Sequence, residues 1–134
     1  MRFIADTGFI LARWGASAAR RAWFASYTRK YEPPFLTADA ALMEAGWRMK
    51  QPQLAPLLVR DGDYVSKVSL VEHGEDLLWL LDKYADRQMD LADACIVKLA
   101  ELFPDATILT TDRADFSVYR TRQGKRLKCD FGPD

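Results

Sequence analysis

The sequence predicts a single three-layer α/β domain with a short, mostly parallel central sheet. Three observations carry this. Short apolar runs with little charge recur along the chain, as expected of strands buried on both faces of a parallel sheet. Helical periodicities separate them, the alternation that builds parallel sheets from βαβ units. The two clearest runs each end in an aspartate, Asp6 and Asp112, and ligands of open α/β sheets collect beyond the carboxyl ends of the strands.

Length and composition agree with one domain over residues 1–134, enough to bury one sizeable core. Lysine and arginine total 19 and aspartate and glutamate total 19, so the whole molecule has no bulk attraction for polyanions. Any nucleic-acid contact must be a local patch or be carried by metal ions. The two cysteines, Cys95 and Cys129, lack metal-ligand spacing and read as reduced, buried thiols. The amino end has no basic-then-apolar signal pattern, and no run approaches the roughly 18 apolar residues of a membrane span. The expectation is a cytoplasmic protein without a membrane segment.

Taken in order, residues 2–5 form a strand that runs into Asp6-Thr7-Gly8, a tight turn. Residues 9–31 are helix-like, with a break at Gly15 and a new cap at Ala16-Ser17. Pro33-Pro34 stop that helix, residues 35–37 form a second strand, and Thr37 or Asp39 caps a helix to about residue 50. Glu44 lies in the second turn of this helix among Ala40, Ala41, Leu42, Met43 and Ala45, unusual company for a solvated glutamate. Residues 54–59 form another helix closed by Asp61-Gly62-Asp63, and residues 64–70 a strand or edge segment. Residues 75–84 form a helix with Leu77, Leu78, Leu80 and Leu81 inward.

The chain is organised around residues 90–116. Leu91, Ala94, Ile96, Val97, Leu99, Ala100, Leu102 and Phe103 give the three- and four-residue steps of a helix about three to four turns long. A turn at Pro104-Asp105 leads into a β-branched strand over 107–111, and Asp112 stands where that strand stops. A short helical turn over 116–119 and a last strand over 126–129 complete the reading.

The chemistry follows from acids at the ends of these elements. If the first and the 107–111 strands are neighbours, Asp6, Glu44, Asp93 and Asp112 converge at one sheet edge. Four carboxylates cannot all stay ionised without a counter-charge. A divalent cation supplies one, and hard oxygen donors without thiolate or histidine select Mg²⁺ or Mn²⁺. One or two such ions activate water and stabilise an in-line displacement at a phosphodiester. Each acid also has a plainer reading: Asp90 and Asp93 as capping acids, Asp6 as a turn residue, Asp112 as a helix cap, Glu44 as a solvated side chain. Two independent strands ending in an acid favour the cluster.

Ile4-Ala5-Asp6-Thr7-Gly8, the mid-helix Glu44, the Asp90-Leu91-Ala92-Asp93-Ala94 run and Thr110-Thr111-Asp112-Arg113-Ala114-Asp115-Phe116 resemble the four acidic motifs of PIN domains. They look especially like the VapC-type ribonuclease toxins of bacterial toxin-antitoxin pairs, and the resemblance spans nearly the whole chain. It implies an α/β/α PIN-like sandwich, Mg²⁺-dependent cleavage of single-stranded RNA, frequent homodimerisation and inhibition by a small antitoxin. It makes Asp6, Glu44, Asp93 and Asp112 the metal ligands and Asp115 a further acid on metal or water. It also leaves Thr7 or Thr111 to hydrogen-bond a ligand carboxylate or metal-bound water. Gly8 departs from the pattern, since many relatives carry asparagine there.

Other chemistry is set aside. His73 reads as a surface or capping residue, and there is no Ser-His pairing, phosphate-cradling glycine motif or HExxH. Arg120, Arg122, Lys125, Arg126 and Lys128 read as a solvated face, or as a strip that holds RNA phosphates beside the metal site. Trp14, Trp23, Trp47 and Trp79 are expected mainly in the core, with one or two free to anchor a second subunit or an antitoxin helix. Beside the nuclease stand two alternatives: a silent PIN-like binding module, and a housekeeping RNA-processing nuclease without an antitoxin.

Overall fold

Five strands of three or four residues each build one sheet in the computed structural model, which describes residues 2–133. They are β1 (Phe3–Ala5), β2 (Phe35–Thr37), β3 (Tyr64–Ser66), β4 (Thr107–Thr110) and β5 (Cys129–Phe131). Their spatial order is β3-β2-β1-β4-β5, and every pairing is parallel. The chain therefore winds outward from β1 on one side and, through β4, on the other. The crevice of such a sheet falls at the reversal of strand order, here between β1 and β4. Phe3, Ile4 and Ala5 pair in register with Thr107, Ile108 and Leu109, so Asp6 falls beside Thr110, the last residue of β4, and Thr111-Asp112 follow at the same edge.

Helices flank this sheet as the outer layers: α1 (Thr7–Ala12), α2 (Ala18–Lys30), α3 (Asp39–Arg48), α4 (Leu54–Arg60), α5 (Leu70–Lys83), α6 (Leu91–Leu102) and α7 (Arg113–Phe116). The expected α/β class and central parallel sheet are what is found. α6 lies across β1, β2 and β4, and burying Ile96, Val97 and Leu99 completely supplies its main hold on the sheet, about 1.5–3 kcal/mol per side chain. α2 meets the core through aromatics: Tyr27 and Tyr31 stand against Phe3, and Trp23 and Phe24 against Phe9, at ring separations of 4.6–5.2 Å. Among the described residues no helix is long and apolar enough to cross a membrane.

Four boundaries differ from the expected ones by more than two residues. The third strand ends at Ser66 rather than reaching residue 70, because Ser69 caps α5: its hydroxyl accepts the Glu72 N–H at 3.2 Å and starts the helix at Leu70, five residues before Glu75. His73 thus lies in that helix, where its Nδ1 accepts the Ser69 N–H at 3.4 Å. The last short helix spans Arg113–Phe116 rather than 116–119, since the Asp112 carboxylate accepts the Asp115 N–H at 3.0 Å. The last strand is displaced to Cys129–Phe131 because the Ile108 N–H takes the Lys128 carbonyl at 2.8 Å. Arg126 makes only an isolated antiparallel bridge to Arg120.

Three other expectations shift with burial. On α5 Leu77 and Leu80 are buried as expected, whereas Leu78, expected inward, is exposed. Cys95 is buried and Cys129 half-buried, both free, and burial raises each thiol to about 11. Trp23 and Trp79 pack against the core from half-buried positions, whereas Trp14 is 39% and Trp47 81% exposed.

Gly8 has a packing reason to be glycine. It occupies the first turn of α1, and a Cβ there would overlap the Thr111 hydroxyl and press its Cβ and Cγ2 at 3.2 and 3.3 Å. The start of α1 is thereby seated on the residue that follows β4. Gly8→Ala is expected to destabilise the protein by about 1–3 kcal/mol. In a Thr111→Ala background the loss should shrink, because alanine is the better helix former once there is room. Urea unfolding of the four combinations checks this, and an equal loss in both backgrounds would contradict it.

Candidate functional site

A cleft of about 300 Å³ opens at the β1/β4 reversal, lined by Asp6, Glu44, Asp93, Asp112 and Asp115, together with Asp90, Thr7, Gly8, Thr111, Arg48, Arg87 and Gln88. All five acids expected at the site face this one space. Each arrives by a different device. Asp6 is the residue at which β1 stops and α1 begins, and its N–H still reaches the Leu109 carbonyl at 3.0 Å. Asp112 caps α7 at the end of β4. Asp90 caps α6 by accepting the Asp93 N–H at 2.8 Å, which sets Asp93 in the first turn. The plain capping readings of Asp90 and Asp112 are therefore true, and the caps are also what point this cluster at the cleft.

Hydroxyl groups hold the carboxylates. The buried Thr110 donates to Asp6 Oδ2 at 2.7 Å while its oxygen accepts the Asp112 N–H at 3.1 Å, so one side chain joins the two strand ends. Thr7 donates to Glu44 Oε1 at 3.3 Å, and the Tyr119 hydroxyl donates to Asp93 Oδ2 at 3.2 Å. The carboxylate-bonded threonine of β4 is thus Thr110 rather than Thr111. Thr7 serves as anticipated.

Electrostatics register the crowding. Burial pushes the Asp6 carboxyl up to about 6, against the hydrogen bonds from Thr110 and the Thr7 backbone, and the charges of Glu44 and Asp112 add to the rise. Burial likewise raises Asp93 to about 7, with the neighbouring charges of Asp90 and Asp6 contributing. Asp112 is raised too, first by burial and then by Asp115, with its bond to the Asp115 backbone and the charge of Arg87 opposing.

Two arginines that sequence reasoning did not connect with the site stand on its wall. Arg48 pairs with Glu44 at 2.9 Å, one turn apart on α3. Arg87 reaches Asp115 Oδ1 at 3.1 Å through Nη2 and 3.3 Å through Nε, and Nη2 also donates to the Ala114 carbonyl at 3.2 Å. Arg87 ends a short 3-10 turn, Ala85–Arg87, and Gln88 after it is left-handed at φ 58°, a conformation uncommon outside glycine. The i,i+4 spacing of Glu44 and Arg48 was the one available signal; nothing local ties Arg87 to an acid 28 residues on. The expected basic strip, in contrast, lies elsewhere. Lys128 precedes β5 at its amino end, opposite the acid edge, where Lys125, Arg126 and Lys128 line a separate cleft with Glu101. Arg122 is tied to Asp76 at 2.7 Å.

The donor set suits a hard divalent cation in chemistry and sign: carboxylate oxygens, three of them with raised pKa, of which Asp6 and Asp93 face acids rather than cations. As the side chains lie, no three His, Cys, Asp or Glu groups among the described residues stand close enough to ligate one ion, so ligation would require the carboxylates to turn inward. The chain matches no known family and no curated protein.

The raised Asp6 pKa has a thermodynamic sign. The folded state holds this proton more tightly than the unfolded chain, so the contribution to stability is complete below pH 3.8 and is lost as pH rises through about 6. In EDTA, wild type should therefore lose about 1–3 kcal/mol relative to Asp6→Asn on going from below pH 4 to above pH 7. Denaturant unfolding of both proteins across that range measures it; parallel profiles would contradict it.

Proposed function

We propose that this protein is a metal-dependent endoribonuclease of the PIN-domain type, acting in the cytoplasm as the toxin of a toxin-antitoxin pair. The observation that supports it most is the convergence of Asp6, Glu44, Asp93, Asp112 and Asp115 from four separate chain segments on one cleft at the β1/β4 reversal. A structural role would not gather like charges at the place where such sheets bind ligands.

Mg²⁺ or Mn²⁺ held by Asp6, Glu44, Asp93 and Asp112 would supply the counter-charge and the Lewis acidity for water attack on an RNA phosphodiester. The remaining work belongs to the chain. Thr110, Thr7 and Tyr119 fix the orientation of Asp6, Glu44 and Asp93 through their hydroxyl donors, in the manner in which outer groups orient metal ligands. Asp115, oriented by Arg87, is the further acid available to orient a water or receive its proton.

The partners in this reading are an RNA substrate, a second copy of the chain and a small antitoxin. α3 supports the protein partners. Glu44 and Arg48 line the acid cleft, whereas Met43 and Trp47, 67% and 81% exposed, line two apolar grooves of about 670 and 530 Å³ that meet at Met43. Aromatic and methionine side chains left open in this way are the usual anchors of protein interfaces. The silent binding module draws on the spacing of the acids, no three of which surround one point.

Cleavage of a labelled, structurally mixed RNA pool tests the choice. Cuts are expected with Mg²⁺ or Mn²⁺ and not with EDTA, and Asp6→Ala or Asp112→Asn should lower them on the order of 10²-fold or more while leaving the protein folded. Either metal should also raise the melting temperature, because it binds only the folded state. Undiminished cleavage in both variants would overturn the assignment of the site. No cleavage and no metal-induced rise would favour the binding module.

A further inference from the structure

A cleft holding six carboxylates repels the phosphates of a nucleic acid, so a strand that enters it needs cations placed at the wall. The carboxylates are Asp6, Glu44, Asp90, Asp93, Asp112 and Asp115, and the cations among the lining residues are Arg48 and Arg87. Each arginine is moored to an outlying acid. Arg48 holds Glu44, from the helix that follows β2, and Arg87 holds Asp115, after β4. In sheet order Asp6, after β1, lies between those two moorings. Of the carboxyl-terminal strip, Lys125, Arg126 and Lys128 line a separate cleft toward the amino end of β5, Arg122 is tied to Asp76, and none of its residues lines the acid cleft.

The two guanidinium groups are suited to the task in different ways. Arg87 engages Asp115 and the Ala114 carbonyl through Nε and Nη2, and its Nη1 takes no part in those contacts. Nε and Nη2 moor the group, which leaves the Nη1 donors for a phosphate oxygen from a guanidinium already fixed in place, at small entropic loss. Arg48 is more than half exposed and held by a single ion pair, a contact worth little at a surface, so it exchanges Glu44 for a phosphate at low cost once the charge of Glu44 is engaged elsewhere.

We propose that Arg48 and Arg87 are substrate-positioning residues that hold backbone phosphates of one RNA strand on the two sides of Asp6. This rests on the nuclease reading above and adds to it the groups that set the path of the strand.

The test is binding rather than cleavage. A short fluorescein-labelled single-stranded RNA is titrated with the full-length Asp112→Asn protein in Mg²⁺ over a series of salt concentrations, alone and with Arg48→Gln, Arg87→Gln, both changes, or the corresponding lysines. Each lost phosphate contact on a single strand should flatten the slope of log K against log salt by about 0.7, and the double variant by about 1.4. Lysine at either position should restore the slope while affinity stays below that of arginine, because the charge returns without the fork. A merely structural role would change the melting temperature and leave the slope alone. Lys128→Gln, on the opposite sheet edge, should leave the slope unchanged. If the Asp112→Asn protein binds RNA and neither arginine variant alters the slope, or if Lys128→Gln alters it instead, the proposal is overturned and the nuclease reading stands. If no RNA is bound and wild type cleaves none, both fall together.

Discussion

Asp6 is a carboxylate of only 6% exposure at the point where two central strands end, and the surroundings are arranged around holding it there. Its hydrogen bonds are few: a 2.7 Å bond from Thr110 and one from the Thr7 backbone. They do not offset burial and like charge, which is why its pKa rises rather than falls. A group held so is in tension with the fold's stability. That tension persists because the register of β1 and β4 leaves no other place for the residue: Ala5 pairs with Leu109, and Asp6 follows at the mouth of the crevice beside the buried Thr110.

The same register explains the economy of the site. Thr110 touches Asp6 and Asp112 at once because the register sets it beside Asp6 and two residues before Asp112. Gly8 lets α1 start directly against Thr111, bringing Thr7 within reach of Glu44. α3 then presents two linings on one helix, with Glu44 and Arg48 a turn apart toward the acids and Met43 and Trp47 a turn apart toward the apolar grooves. Met43 and Trp47 each precede by one residue an acid-cleft side chain, Glu44 and Arg48.

Much of this was legible in the sequence because strand ends and helix caps are local signals. The apolar runs ending in Asp6 and Asp112, and the Asp90/Asp93 pair at the start of α6, place their acids without any knowledge of tertiary contacts. Glu44 stood out by its apolar neighbours. What was not legible depends on distance. Arg87 meets Asp115 across 28 residues, and Tyr119 meets Asp93 across 26; neither pairing leaves a pattern along the chain. The basic residues before β5 looked close to the site in sequence, but a parallel strand carries its amino end to the far edge of the sheet. The boundaries of α5, α7 and β5 moved because a single capping hydroxyl, a capping carboxylate and one ladder hydrogen bond decide them, and side-chain periodicity does not register such contacts.

Under the proposed function these raised, crowded carboxylates are a cation site. Calorimetric titration of Mn²⁺ into the metal-free protein, at a pH between the values of Asp6 and Asp93 and in two buffers of different ionisation enthalpy, tests it most directly. Saturable binding with proton release is predicted, because carboxyl groups that hold protons in the free protein must give them up to ligate, and Asp6→Asn should weaken the binding and reduce the protons released. Absence of saturable binding, or binding unchanged by Asp6→Asn, would contradict the account.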